Sequence, residues 1–508
     1  MLSGLVVISA LVAFTPLMDT EIDQYQRAYY ASDRTIFTTY FYWYQSQGEL
    51  APGTQLIREL GEGGIADIEE NIAELPRGWP GPTSIEDFVS FNATGDGRNF
   101  MNQVTRVPLP IAPAYNDKGE VITELPTEVE TYANDQNDIL FNISDFVDYT
   151  NPAWHEWEFR CMMRAGIDVA MPVYWWLGPE YGSETDWSRE GLLAMNDSLT
   201  ELREKIEVES ANGGESSVDD IPKLAMFYDT TLLKQLWALN ESQDSTSEFY
   251  GDYPGAFFNG TGADLGESYW QHQFYLRIKE FYEVLINSES IFTSSIKING
   301  ELEESFVVWL YGAGWAASVG ENLFDYCREQ FQARFGKSLV FVGGDDWEVR
   351  KGQGPVWGQW SRDTPNQPDG ICGWGASMRV ISPQYSRVPV GGYGGGYYNL
   401  GAIDVQPAIY TPFTIEQYKA GLQQVIDEGA VWIHIETWNE LLEGTDICWT
   451  IENGFSRIDA TREMADKFHA LNGEPFRLST QSIISIAAPL SIIAALGVLA
   501  TLLKTRDQ

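Results

Sequence analysis

The chain has 508 residues, enough for a large buried core and for more than one domain. Hydrophobic residues make up 44% of it, which excludes a disordered chain, and a formal net charge of -41 repels phosphate backbones and so excludes nucleic acid as a partner. Aromatic residues reach 13%, which calls for a ring-rich core, for platforms under the C–H faces of sugars, or for both.

The chain opens on Leu2 to Met18, an apolar run without charge that is short for a membrane span and placed as a signal peptide would be, so residues 1–18 are read as one. From there short apolar, β-branched or aromatic runs alternate with helix-period segments. Strand candidates fall at Thr35 to Tyr44, Ile167 to Trp176, Leu224 to Asp229, Phe306 to Tyr311, Leu339 to Asp345, Gly370 to Trp374, Arg387 to Gly392 and Ala430 to Glu436. A helix is predicted from Trp154 to its stop at Gly166, and another from Asn322 to Phe335, stopped by Gly336. A third begins at the capping box Thr414/Gln417, carries Ile415, Tyr418, Leu422, Val425 and Ile426 on one face, and ends at Gly429.

Eight such units predict an α/β fold, a (β/α)8 TIM barrel over residues 35–468, although an open doubly wound sheet would show a similar rhythm. Residues 49–151, rich in Gly, Pro, Asp and Asn, form a long insert after strand 1 and are expected as a subdomain at the barrel mouth. A linker over 469–482 leads to residues 483–503, an apolar stretch followed by Lys504 and Arg506. Its length fits a C-terminal transmembrane helix, and the basic flank places the C-terminus in the cytoplasm. The expectation is a single-pass cell-surface protein with its barrel outside and its partner membrane held by that helix. Sequons at Asn92, Asn142, Asn196, Asn240 and Asn259 fit an exported glycoprotein. Outside the cell the four cysteines, Cys161, Cys327, Cys372 and Cys448, allow one or two disulfides, but their spacing gives no connectivity.

Barrel active sites collect at the C-terminal strand ends. Those ends carry Tyr42, Trp43 and Tyr44; Trp175 and Trp176; Asp229; Tyr311; Asp346 and Trp347; and Glu436, Trp438 and Asn439. Rings beside carboxylates are what glycoside cleavage needs: the rings hold sugar, one carboxyl donates a proton to the leaving oxygen, and another acts as base or nucleophile. These residues are read as substrate contacts and Glu440 with Glu443 as the catalytic pair. Glu436, Trp438 and Glu440 share strand parity and would point to one side of an extended chain. No cofactor and no metal is called for: the four histidines form no cluster, no GxSxG elbow is present, and Gly391 to Gly396 lacks the Lys-Ser/Thr of a phosphate loop and reads as a flexible mouth loop.

The segment Asn439-Glu440-x-x-Glu443-Gly444-Thr445 after the last strand, with Phe41-Tyr42-Trp43-Tyr44 on the first, resembles glycoside hydrolase family 99, the endo-α-mannosidases, and related barrel families of unassigned function. The resemblance implies a hydrolase of α-linked mannose chains in which Glu440 acts as base on the sugar's own 2-hydroxyl and Glu443 as general acid. Leu441-Leu442 stands where that family usually has Trp-His. A non-catalytic surface glycan-binding or structural protein on the same scaffold is the alternative reading, since a fold alone does not establish catalysis.

Overall fold

The computed structural model describes residues 34–42, 44–51, 54–59, 149–178, 185–214, 216–241, 266–298, 301–319, 322–344, 368–383, 388–397, 413–440, 445–449 and 454–472. Twelve strands are defined among them: β1 (Thr35–Tyr40), β2 (Tyr44–Ala51), β3 (Thr54–Glu59), β4 (Val169–Tyr174), β5 (Lys223–Leu224), β6 (Met226–Asp229), β7 (Thr293–Ile298), β8 (Glu301–Tyr311), β9 (Ser338–Gly343), β10 (Gly370–Ile371), β11 (Val390–Gly394) and β12 (Trp432–Glu436). The described helices are α1 (Pro152–Ala165), α2 (Asp186–Ala211), α3 (Thr231–Glu241), α4 (Gly266–Leu285), α5 (Leu323–Phe335), α6 (Ile415–Asp427) and α7 (Ser456–His469).

Eight strands pair in parallel in the order β10-β9-β8-β6-β4-β1-β12-β11. A parallel bridge between Gly370 and Val388, just before β11, nearly closes the two ends into a barrel. All eight strand candidates lie in this barrel. The predicted helix signals also act as read: Gly166 and Gly336 cap α1 and α5 in the left-handed region at φ 74° and 68°, and Thr414 and Gln417 cap each other's backbone at the start of α6. Two hairpins were not anticipated. β2 and β3 pair antiparallel at the head of the insert, and β7 runs antiparallel to a β8 that starts five residues before its predicted beginning. The rest of the mouth insert, the N-terminal signal segment and the C-terminal stretch lie outside the described residues. Among the described residues no helix is long and apolar enough to cross a membrane.

A parallel sheet covered by helices is buried on both faces, so its strands read as continuous apolar runs. β1, β4, β9 and β12 are buried at every position. Inside the barrel Phe37 of β1, Trp309 of β8 and Trp432 of β12 meet with ring centroids 5.3 and 4.9 Å apart. Rings thus fill the floor where aliphatic layers are more usual, and part of the aromatic content belongs to the core. At the base, Asp168 accepts from the backbone N–H of Ile36 at 2.7 Å and meets His469 Nε2 at 2.9 Å. Arg34 reaches the carbonyls of Leu471 and Ala430, so α7 ties the last strand to the first.

Gly391 to Gly394 belong to β11 and not to a loop. A Cβ at Gly394 would overlap the carbonyl of Glu436 and stand 2.8 Å from Cα of Ser377, so a bare backbone is needed where a neighbouring segment crosses the strand. The four cysteines are all buried, and none is bridged to another. Asn196 sits inside α2, partly buried with its side-chain oxygen covered, and Ser198 is buried.

Candidate active site

At the C-terminal end of the barrel a cavity of about 210 Å³ is lined by Phe227, Trp309, Leu310, Tyr311, Gly312, Gly344, Cys372, Trp374 and His434. Its strands are β6, β8 and β12, with the segments that follow β9 and β10. Parallel register decides the membership. Phe227 pairs with Trp309 and Asp229 with Tyr311, so alternate residues of β6 and β8 face the lumen together. Trp374 closes the cup, its ring 4.9 Å from Tyr311, 5.7 Å from Phe227 and 6.1 Å from the His434 imidazole. His434 shares a 2.8 Å hydrogen bond with Thr39, and burial pushes its pKa down to about 3, so a neutral ring faces the cavity at physiological pH.

Of the predicted contacts, Tyr311 lines this cavity. Asp229 does not line it; it pairs with Tyr311 two positions beyond Phe227, with Oδ1 accepting from the backbone N–H and the hydroxyl of Thr231 at 2.9 and 2.7 Å. Trp175 and Trp176 lie just beyond the end of β4. Trp175 is buried and donates to Thr231 Oγ1, while half-buried Trp176 donates to Asp186 and lies between the guanidinium groups of Arg189 and Arg277. Tyr42 is fully buried, with its hydroxyl donating to the Ser188 carbonyl at 2.7 Å and its ring against Trp187. It packs in the wall between β1 and α2 and not on the cup. Tyr44 starts β2, and its side chain, like Trp43, Glu443, Asp346 and Trp347, falls outside the described residues.

The last strand behaves differently from its sequence parity. β12 ends at Glu436, and beyond it the chain is held by side chains. Glu436 is buried and accepts from the backbone N–H groups of Gly375, Ala376 and Ser377 at 2.9 to 3.3 Å and from the Ser377 hydroxyl at 2.9 Å. Both oxygens are engaged by the segment that carries Trp374, so Glu436 helps to build the cup. Burial raises its pKa to about 7 against the pull of these donors. Trp438 is fully buried, and its indole donates to Glu158 of α1 at 2.5 Å. Asn439 is fully buried and gives and takes a backbone-like pair with Phe41, each bond 2.8 Å. Thr437 and Thr445 bond hydroxyl to hydroxyl at 2.9 Å, and Thr445 N–H donates to the Glu440 carbonyl. Thr437, Trp438 and Asn439 are therefore anchors. They fix the backbone of Glu440, a buried residue whose N–H donates to the Thr437 hydroxyl.

Glu158 was not singled out in the sequence. It is buried in mid-α1, accepts from the indoles of Trp154 and Trp438, and burial raises its pKa to about 7. Helical spacing from Trp154 was the available signal, since residues four apart share a face. His434 and Phe227 were inside predicted strands, and alternation from Glu436 and Asp229 marked them as lumen-facing.

Several solved structures are similar to this chain. An endo-α-mannosidase of glycoside hydrolase family 99 from Bacteroides thetaiotaomicron is 12% identical, with a TM-score of 0.42 over 86% of this chain and 98% of that one. The same enzyme in complex with bis-tris-propane has a TM-score of 0.36 over 65% and 88%, at 12% identity. A glycoside hydrolase-like protein, also 12% identical, has a TM-score of 0.39 over 62% and 86%. No curated protein matches the chain. A family described as a domain of unknown function, DUF5010, matches residues 119–475, and the chain belongs to that family.

Proposed function

We propose that the protein is a glycoside hydrolase whose barrel mouth binds a sugar ring and whose Glu440 and Glu443 cleave the bond beside it. The observation that carries this reading is the cup of Tyr311, Trp374, Phe227 and neutral His434 at the C-terminal barrel end. Stacked rings with a few polar groups suit a pyranose, whose C–H face is apolar and whose edge hydroxyls need partners. In the proposed chemistry Glu440 is the base, on water or on a sugar hydroxyl, and Glu443 donates the proton to the leaving oxygen. An α-mannoside is the substrate class the motif favours. The proposed setting is the cell surface, with the barrel outside and residues 483–503 as the membrane anchor.

One observation favours the alternative of a glycan-binding protein without hydrolysis: Glu436, Trp438 and Asn439 of the final segment are engaged in internal bonds. The deciding experiment incubates the protein with α- and β-linked oligosaccharides and reads products by mass. Cleavage lost in both Glu440→Gln and Glu443→Gln supports the hydrolase. Cleavage retained in both overturns the assignment, and binding without cleavage supports the alternative.

A further inference from the structure

We propose that Glu158 is a positioning residue for Glu440, holding the end of the last strand through the Trp438 indole. The inference rests on the reading of Glu440 as a reacting group, and its physical part can be tested without that reading.

Trp438 is the hub of the turn that ends in Glu440. Its N–H donates to the Thr39 carbonyl of β1, and its carbonyl accepts from the N–H groups of Ile447 and Cys448. Its indole is held by Glu158 at 2.5 Å, and Glu158 takes a second indole, that of Trp154, on its other oxygen at 3.1 Å. One carboxylate therefore supplies an acceptor oxygen to each of two buried N–H donors, whereas a carboxamide would turn its NH2 group toward one of them. The titratable groups near Glu158 are Tyr40 of β1, itself bonded to His155 of α1, and Cys161 of α1. Cys448, on the segment that returns from the turn, faces Tyr40. Phenol and thiols of this kind stay neutral at physiological pH, so the charge on Glu158 is set by burial and by its two indoles. Because burial raises the pKa of Glu158 to about 7, the folded state holds that proton more tightly than the unfolded chain does, and the stability linked to it is lost as the pH rises.

The test is hydrogen–deuterium exchange on the full chain, for wild type, Glu158→Gln, Trp438→Phe and the double variant, from pH 5.5 to 8.5. Exchange is corrected for the intrinsic pH dependence, and helix α6 serves as an internal reference. The expected result is about tenfold faster exchange across 437–448 in each single variant, as loss of one buried charge-assisted bond implies. The double variant should be no faster than either single one, and α6 should be unchanged. Wild-type protection of 437–448 should be greatest at low pH and fall as the pH rises through the titration of Glu158, and Glu158→Gln should show no such step. On any oligosaccharide that the wild type cleaves, Glu158→Gln should lower kcat about tenfold at unchanged KM. Unchanged exchange at 437–448, additive effects in the double variant, or a pH step that persists in Glu158→Gln would overturn the proposal. Absence of cleavage on every glycan would sink the hydrolase reading alone, because the exchange result does not use it.

Discussion

Glu436 separates two accounts of the barrel mouth. As a substrate contact, its loss would weaken glycan binding and leave folding alone. As an anchor, its loss would release the segment Gly375 to Ser377. In Glu436→Ala, three buried backbone N–H groups and one hydroxyl lose their acceptor. At about 1 to 2 kcal/mol for each buried orphaned N–H, the cost is roughly 3 to 6 kcal/mol. The penalty must also depend on pH. The folded pKa of Glu436 is raised from 4.5 to about 7, so the folded state binds the proton more tightly than the unfolded chain does. Stability from this group is then fully present below pH 4.5 and declines as the pH rises through 7, by about 3 kcal/mol. The alanine variant lacks that decline, so its deficit should shrink by about 3 kcal/mol between pH 4.5 and pH 8. Urea unfolding of both proteins at the two pH values, followed by tryptophan emission, measures this directly. A variant within 1 kcal/mol of wild type at pH 4.5, or a deficit that is the same at both pH values, refutes the anchor account.

Asn439→Ala should cost about 2 to 4 kcal/mol in the same unfolding assay, because the buried N–H and C=O of Phe41 both lose their partner; a change under 0.5 kcal/mol would count against it. Trp374→Ala should weaken binding of the glycan that the wild type recognises by about tenfold in calorimetry, and shift the melting temperature little, since this ring is half-buried and closes the cup. Undiminished affinity would remove the cup from the binding site. His469 has its pKa raised by the hydrogen bond it donates to Asp168. Its contribution is fully present below its ordinary value of 6.5 and is lost as the pH rises through the higher folded value. His469→Ala should therefore be less stable than wild type at pH 6 and converge with it at alkaline pH. A deficit that does not change with pH would contradict the pairing.

The local signals in the chain act through short-range physics and were legible for that reason. A capping box, a left-handed glycine after a helix and a continuous apolar strand depend on neighbours within a few positions, so Thr414 with Gln417, Gly166 and the eight barrel strands lie close to where their residues place them. Which side chains meet at the mouth depends on contacts hundreds of positions apart. The parity that put Glu436, Trp438 and Glu440 on one side holds only while the strand continues, and β12 stops at Glu436. Beyond it Trp438 turns to a carboxylate 280 positions away, and Asn439 to a backbone 398 positions away. A buried indole or amide goes wherever a partner can satisfy it, because an orphaned N–H in the core costs more than any preference along the chain. The sequence by itself determined the eight alternating strand and helix units and the aromatic and acidic character of the strand ends. Only the tertiary structure decided that those units curl into a barrel and not an open sheet, that Tyr311, Phe227, Trp374 and His434 form the cup, and that Glu436, Trp438 and Asn439 brace it.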